Sequence, residues 1–279
     1  MTTTLRPTGP LRQTDDGGKS RSYEVCVNSR PVGTVEIATD TGFGHKAGTI
    51  RALHIDEPDR RRGRATVAAL AAEEVLRGWG CGQVMASVPP DAVAALRMLE
   101  SLGYVERGRN MDKELPPEPP VLPEGVAGRP MNESEYAAWE AQAVENYAQS
   151  WIDRGTPPEQ ARTKSEASHR ELLPDGLATP GAALHVLVHD GSVVGHVWVA
   201  SREVRAGRPG SYVYDVAVRA DLRGKGYGRA LMLHAERIAL EAGSELLGLH
   251  VFAGNTPAIR LYESLGYGTT QRNFFKPLL

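Results

Sequence analysis

A glycine-rich segment in the second half of the chain has the residue types and spacing of a phosphate-binding turn. It follows a predicted strand, residues 212–218, and opens a predicted helix. Glycines let the backbone approach an anion closely, and the free amides and dipole of a helix start favour negative charge there. The residues of this turn are Arg223, Gly224, Lys225, Gly226, Tyr227, Gly228 and Arg229. The spacing fits neither a Walker loop nor the motif G-x-G-x-x-G, and a tight turn with solvated basic side chains is the alternative interpretation.

Two further motifs follow the glycine-rich turn along the chain. The turn itself, from Arg223 onwards, has the pattern [QR]-x-x-G-x-[GA]. Asn255 follows the next predicted strand, residues 246–252, and Ala258 lies just beyond it. Tyr262 precedes a Leu-Gly-Tyr turn. Together these motifs resemble the GNAT acetyltransferase superfamily, over about residues 183–278. In that family the first pattern binds the pyrophosphate and pantetheine arm of acetyl-CoA, and the asparagine contacts the pantetheine. The resemblance implies direct, acetyl-CoA-dependent transfer of an acetyl group to an amine.

The resemblance also implies roles for individual residues in that transfer. Tyr262, whose phenol has an ordinary pKa of about 10 against about 8.5 for a thiol, is expected to protonate the departing thiolate once it is positioned beside the sulfur. An amine that is protonated near neutral pH needs a base, for which Asp215 and His250 are the candidates. Either residue could instead have a purely structural role. If the strand bulges, the attacked carbonyl oxygen would be stabilised by the backbone amides of Val216, Ala217 and Val218.

The elements that carry these residues occur twice in the chain. Residues 60–115 align on residues 223–278 without a gap, with 18 identical positions, where average composition would give about three or four. A proline-rich segment between the copies is typical of an extended linker. We therefore predict a mixed α/β fold of two tandem GNAT-like domains, each a mixed β-sheet flanked by helices. The predicted parts are a degenerate N-terminal domain (residues 1–115), a linker (116–127) and a C-terminal acetyltransferase domain (128–279).

The first copy keeps the phosphate-binding pattern but not the polar residues that follow it. The pattern is kept at Arg60, Gly63 and Ala65. Ala92 and Leu99 stand where the second copy has Asn255 and Tyr262, and leucine has no proton to donate. We therefore expect a second CoA phosphate site in the first copy and no acetyl transfer there. The same basic run could be interpreted as a nucleic-acid patch, but its alignment with the second copy favours a phosphate loop.

Composition limits the remaining possibilities. The chain has 279 residues, of which 41% are hydrophobic and 24% charged, with a net charge of −2, which is typical of a globular protein and not of a nucleic-acid binder. We expect no membrane span, and two isolated cysteines with eight scattered histidines predict a cytoplasmic protein without a metal or an acyl-cysteine intermediate. The predicted partner is a small-molecule amine, and the oligomeric state is left open. One alternative is a noncatalytic CoA-binding sensor or scaffold. The other is an ATP-binding enzyme, but the glycine-rich turn lacks the Walker lysine that such an enzyme uses.

Overall fold

The computed structural model describes residues 2–15, 17–39, 47–153 and 157–278. The first sequence copy contains strands β1 (Thr3–Pro7), β2 (Arg12–Gln13), β3 (Lys19–Val27), β4 (Arg30–Thr39) and β5 (Ala47–Ile55), helix α1 (Arg64–Gly78), strand β6 (Gln83–Val88), helix α2 (Val93–Ser101) and strand β7 (Val105–Glu114).

The second copy repeats this order and inserts two helices near its start. Its elements are β8 (Val126–Pro130), α3 (Glu133–Ile152), α4 (Pro158–Leu172), β9 (Ala182–His189), β10 (Ser192–Arg205), β11 (Arg208–Val218), α5 (Tyr227–Glu241), β12 (Leu246–Phe252), α6 (Thr256–Ser264) and β13 (Gly268–Pro277). Both copies combine strands with helices, so the predicted mixed α/β class is confirmed.

The chain forms two compact units, each built from parts of both sequence copies. One consists of Met1–Asn110, Val251–Thr256 and Thr269–Leu279, and the other of Met111–His250 and Pro257–Gly268. The proline-rich segment predicted as a linker carries no helix or strand between residues 115 and 125. A domain boundary there stays a prediction, because the compact units exchange segments from the ends of the two copies.

The first unit is a mixed sheet with the order β1, β3, β4, β5, β6 and β13. Strands β5 and β6 are parallel, and β13 joins antiparallel to β6, with Arg272 opposite Val88. Helix α1 packs on β1, β4 and β5 and buries Leu76 completely. The last strand of the second copy therefore completes the sheet of the first.

The second unit has a sheet with the order β8, β9, β10, β11 and β12, in which β11 and β12 are parallel. Successive side chains of a strand face opposite sides of the sheet. On β10, Gly195 approaches Leu231 of α5, whereas Trp198 joins a buried cluster with Tyr136 and Trp139 of α3. Helix α3 starts at a capping box in which Asn132 accepts a hydrogen bond from the Glu135 amide. The α3 side of β10 and β11 is where the polar residues described below collect.

Each copy has a β-bulge at the same position of its central strand. The register between β4 and β5 shifts at Arg51, and the register between β10 and β11 shifts at Tyr214. Gly33 and Gly195, opposite these strands, are required because a Cβ atom would lie 2.1 Å and 2.5 Å from a carbonyl oxygen of β5 and β11. The bulge and its glycine are thus repeated features.

No helix among the described residues is both long enough and apolar enough to span a membrane.

Candidate active site

The glycine-rich turn between β11 and α5 has the backbone of an open anion site. Gly224 and Gly226 have φ angles of 79° and 86°, a conformation that residues with a side chain rarely adopt. Gly226 is the N-cap of α5, so the helix begins without a side-chain cap. No atom lies within 4 Å of the position that a Cβ would take on either glycine. Backbone amides at this helix start can therefore receive a phosphate group from the solvent side.

The cations predicted for this site lie around the turn. Arg223 and Lys225 are exposed, and Arg229 donates a hydrogen bond of 2.6 Å to the Ser264 hydroxyl group of α6. The Tyr227 hydroxyl lies 2.6 Å from Nδ1 of His189, at the end of β9. These contacts attach the turn to α6 and to the β9–β10 hairpin, with Arg223 and Lys225 exposed on the turn.

Strand β11 opens away from β12 just before this turn. The paired residues run from Ser211 with Leu247 to Val213 with Leu249, and the bulge at Tyr214 follows directly. The segment predicted to hold the oxyanion, residues 216–218, lies beyond the last of these pairs. A bulge and a loss of parallel pairing at this point are the conditions under which its amides can face a substrate.

Asp215 is the centre of a hydrogen-bonded group in the second unit. Its Oδ2 atom lies 2.9 Å from Nε1 of Trp139 and 2.9 Å from Nε2 of His196, and the side chain is 38% exposed. Burial by itself would raise the pKa of the Asp215 carboxyl group. Hydrogen bonds from His196, Trp139 and the Val216 amide, with the charge that His196 carries when protonated, outweigh burial and lower this pKa. Asp215 is therefore a carboxylate at neutral pH.

Tyr262 on α6 is buried and keeps its proton. Its side chain packs 6.0 Å from the Tyr267 ring, measured between ring centroids. Burial and the negative charge of Asp215 raise the pKa of the Tyr262 hydroxyl to about 12. A phenol in this state is protonated at any physiological pH, as a general acid must be before it donates.

Aromatic rings form a wall beside Asp215. Trp198 stacks on Tyr214 at 4.7 Å between centroids and meets Trp139 edge-on at 5.5 Å. His169 of α4 lies 6.3 Å from both tryptophan rings, measured between ring centroids.

Trp139 and His196 were not predicted from the sequence as site residues. The available signal was the alternation of His196 and Trp198 in β10, which stand where the first copy has Thr34 and Glu36.

The other predicted site residues lie on the elements expected for them. His250 is exposed on β12, while His196 is the histidine in contact with Asp215. Asn255 is exposed in the turn before α6, where its amide donates to the Phe252 carbonyl oxygen. Ala258 is half-buried in the first turn of α6. The roles predicted for these three residues stay predictions.

The first unit contains a large groove at the equivalent position. Its volume is about 1130 Å³, and its lining includes Arg60, Arg61, Gly63, Arg64, Ala65 and Arg97. Gly63 is the N-cap of α1 with a φ of 72°, and Arg61 adopts a φ of 57° where the second copy has Gly224. The Arg60 side chain donates a 2.7 Å hydrogen bond to the Ile55 carbonyl oxygen. The backbone of the phosphate loop is thus kept in the first copy.

The same groove lacks the polar side chains of the second site. By the repeat alignment, the places of Asp215, His196, Asn255 and Tyr262 are taken by Ala52, Thr34, Ala92 and Leu99. Leu99 is buried in the core of the first unit.

The described residues contain no group of three or more His, Cys, Asp or Glu side chains that could hold a metal ion.

The sequence matches the model of the acetyltransferase (GNAT) family over residues 3–104 and 143–267. An uncharacterized N-acetyltransferase, YycN of Bacillus subtilis, is 32% identical over 143 residues, which cover 50% of this chain and 91% of that protein. Mycothiol acetyltransferase of Nocardiopsis dassonvillei is 28% identical over 276 residues, covering 92% of this chain and 81% of that enzyme.

Solved structures share the fold. A GCN5-related N-acetyltransferase from Sphaerobacter thermophilus superimposes with a TM-score of 0.58 and 20% identity, over 92% of this chain and 80% of that one. A tandem GNAT protein from the clavulanic acid biosynthesis pathway superimposes with a TM-score of 0.53 and 19% identity, over 94% of this chain and 84% of that one. The tandem GNAT architecture predicted from the repeat is confirmed.

Proposed function

The chain belongs to the acetyltransferase (GNAT) family and is an N-acetyltransferase, and we propose that its C-terminal copy transfers the acetyl group of acetyl-CoA directly to a small-molecule amine. The observation that carries this proposal is the contrast between the copies. Both keep a glycine-capped loop before a helix, but only the second copy carries Asp215, Asn255 and Tyr262, where the first has Ala52, Ala92 and Leu99. The N-terminal copy is then a CoA-binding partner that has lost the chemistry.

Acetyl-CoA is the acetyl donor that this family uses, and the loop at Gly226 fits its pyrophosphate. Two glycines with positive φ angles, open space above them and an uncapped helix start form a cradle that accepts an anion. Arg223, Lys225 and Arg229 supply compensating charge, and Asn255 is the candidate for the pantetheine amide. In the first copy, Arg60 and Gly63 would hold a second CoA.

The chemistry proposed for the second copy needs one proton removed and one supplied. The amine nitrogen attacks the thioester carbonyl carbon, and the carbon–sulfur bond then breaks. The backbone amides of residues 216–218 stabilise the oxygen anion formed in between. Tyr262 gives its proton to the leaving thiolate while the reacting nitrogen gives a proton to the phenol oxygen, so that no phenolate, the stronger base of the two, is left behind. No cysteine takes part, since Cys26 and Cys81 are both buried in the first unit.

A small amine is the acceptor class that the comparisons support. The relatives that match most of this chain include proteins named mycothiol acetyltransferase. The ionised carboxylate of Asp215, whose side chain is 38% exposed, also suits an ammonium group. A peptide N-terminus is the competing acceptor.

The test is release of free CoA from acetyl-CoA with a panel of amines: amino sugars, cysteinyl amino sugars, polyamines and short peptides. Mass spectrometry of the acetylated product separates transfer from hydrolysis. Tyr262→Phe should lower kcat by about 10²-fold to 10⁴-fold, as expected for loss of a general acid, with unchanged acetyl-CoA affinity. Tyr267→Phe is the matched control, since it removes a neighbouring buried hydroxyl group outside the proposed chemistry.

Two results would contradict the proposal. If the full panel gives no product while acetyl-CoA binds, the second copy acts as a CoA sensor. If Tyr262→Phe keeps full activity and Gly63→Asp abolishes it, transfer takes place in the first copy.

A further inference from the structure

We propose that His196 is the general base of the acetyl transfer and that Asp215 is the residue that positions it. This inference rests on the proposed function of the C-terminal copy. Nε2 of His196 lies 2.9 Å from Oδ2 of Asp215, and the two residues are on the adjacent strands β10 and β11. Trp139 of α3 donates to the same oxygen atom, again at 2.9 Å. The carboxylate is therefore held from two directions, and it holds the imidazole in turn.

The hydrogen bond determines which ring nitrogen carries the proton. An ionised carboxylate only accepts hydrogen bonds, and the lowered pKa of Asp215 keeps it ionised. Nε2 of His196 must therefore be the N–H donor. In the neutral imidazole, Nδ1 is then the nitrogen with the lone pair that accepts a proton. Serine hydrolases also use an aspartate to orient a histidine base, but there the aspartate holds Nδ1 and the base is Nε2.

Asp215 itself is the weaker candidate for the base. Its lowered pKa makes it a poor proton acceptor near neutral pH, where a base works best if its own pKa is close to the ambient pH. The Nδ1 atom of a neutral imidazole, by contrast, carries a lone pair that accepts a proton. The side chain of His196 is 29% exposed, so a substrate can reach it.

The proposed base and acid share one electrostatic environment. The negative charge of Asp215 raises the pKa of the Tyr262 hydroxyl, and the same carboxylate is in hydrogen-bond contact with His196. From the other elements packed here, α4 contributes His169 and α3 contributes Tyr136, whose hydroxyl donates to Glu140. Tyr214 comes from β11 itself. The Asp215 carboxylate is in direct contact with the His196 ring, with 2.9 Å between Oδ2 and Nε2.

The proton balance of the step closes with these two residues. Nδ1 of His196 removes one proton from the ammonium group of the acceptor, and the freed lone pair forms the new carbon–nitrogen bond. When the carbon–sulfur bond breaks, Tyr262 protonates the thiolate, and the second proton lost by the nitrogen restores the phenol. His196 then releases its proton to water, so that one proton leaves per acetyl group transferred.

The kinetic test compares pH profiles of kcat/KM, with the most active amine of the panel described above. His196→Gln keeps an N–H donor for Asp215 but cannot take a proton at neutral pH. We expect the kcat/KM of His196→Gln to be about 10²-fold to 10⁴-fold lower than that of the wild type at pH 7. The difference should shrink as the pH approaches the pKa of the amine, where free amine is abundant. Acetyl-CoA affinity and the urea midpoint should be unchanged. His169→Gln, in the same aromatic wall, should keep the shape of the wild-type profile, and His250→Gln tests the rival base.

A second measurement does not depend on the acceptor. Two-bond ¹H–¹⁵N correlation spectra of ¹⁵N-histidine-labelled protein show which ring nitrogen carries hydrogen, and the His196 signals are assigned by their loss in His196→Gln. We expect the Nε2–H tautomer in the wild type and a mixture of tautomers in Asp215→Asn.

The outcomes separate this inference from the proposed function. Acetyl transfer by the wild type with an unaltered pH profile in His196→Gln, or a wild-type His196 in the Nδ1–H form, would overturn the role of His196 and leave the proposed function standing. No transfer to any amine would overturn both.

Discussion

Lys276 of β13 forms an ion pair with Glu73 of α1, with 2.7 Å between Nζ and Oε2, although 203 residues separate them in the chain. The second unit contains the equivalent pair, in which Lys113 of β7 lies 2.7 Å from Glu236 of α5. Each lysine is on the last strand of one sequence copy, and each glutamate is on the helix that follows the phosphate loop of the other. The final strands of the two copies are thus exchanged, and each unit is completed by a buried ion pair.

Removing one partner of such a pair should be strongly destabilising. The Glu236 side chain is 1% exposed, so Lys113→Met leaves a buried carboxylate without its cation. We expect a loss of about 3 to 5 kcal/mol in the free energy of unfolding, measured with urea. The double variant Lys113→Met/Glu236→Leu should recover most of it, because no unpaired charge then remains. Hydrogen exchange should show reduced amide protection in α5 for Lys113→Met and in α1 for Lys276→Met. The reverse pattern would contradict the strand exchange.

Acetyl-CoA affinity of the second copy should depend on Gly226. Gly226→Asp places a side chain and a negative charge in the open space at the start of α5, so the dissociation constant should rise at least tenfold. Gly243→Asp is the matched control, since Gly243 has a φ of 74° in equally open space at the other end of the same helix. Titration calorimetry measures both variants. Equal affinities in the two would rule out a phosphate site at this turn.

The first copy should bind a CoA molecule of its own. Calorimetry of the wild type should give two equivalents of CoA, and Gly63→Asp should remove one of them while kcat stays within about twofold, because the acid and base lie in the second copy. Gly80→Asp is the corresponding control at the end of α1, with a φ of 91° and open space. A wild-type stoichiometry of one, unaffected by Gly63→Asp, would contradict the second site.

The pair of His185 and His234 should make the second unit sensitive to acid. Nδ1 of His185 lies 2.9 Å from Nε2 of His234, and Gly128 lies directly against the His234 ring. Burial, with the charges of His185 and Arg237, lowers the pKa of His234 to about 4. Because this folded-state value is below the ordinary 6.5, the unfolded chain binds more protons below pH 6.5. The contribution of neutral His234 to the free energy of unfolding is therefore complete above pH 6.5 and is lost as the pH falls towards 4.

The size of this effect is on the order of 3 kcal/mol. Urea unfolding between pH 7 and pH 4 measures it in the wild type and in His234→Gln, whose amide does not titrate in this range. The variant should show a smaller dependence on pH. An equal dependence in both proteins would assign the acid sensitivity to other groups.

Local features were predictable from the sequence because their signals lie within short segments. The turn from Arg223 to Arg229 is indicated by its glycines, its cations and its position between a predicted strand and a predicted helix. The strand predicted over residues 246–252 is β12 to the residue. The repeat also follows from the sequence, since an ungapped alignment needs no knowledge of contacts, and with it the degeneracy at Ala92 and Leu99.

The tertiary structure decided which distant segments meet. Strands β7 and β13 carry lysines at equivalent positions, so their sequences fit either copy, and only the fold assigns each to the other's sheet. Trp139, His196 and Asp215 are separated by up to 76 residues, and three different elements bring them to one carboxylate oxygen. Arg61 has no glycine signature, yet its backbone takes the positive φ of Gly224 because the loop is fixed at both ends by repeated elements. Composition and periodicity describe each segment by itself, whereas hydrogen bonds between segments depend on the packing of the whole unit.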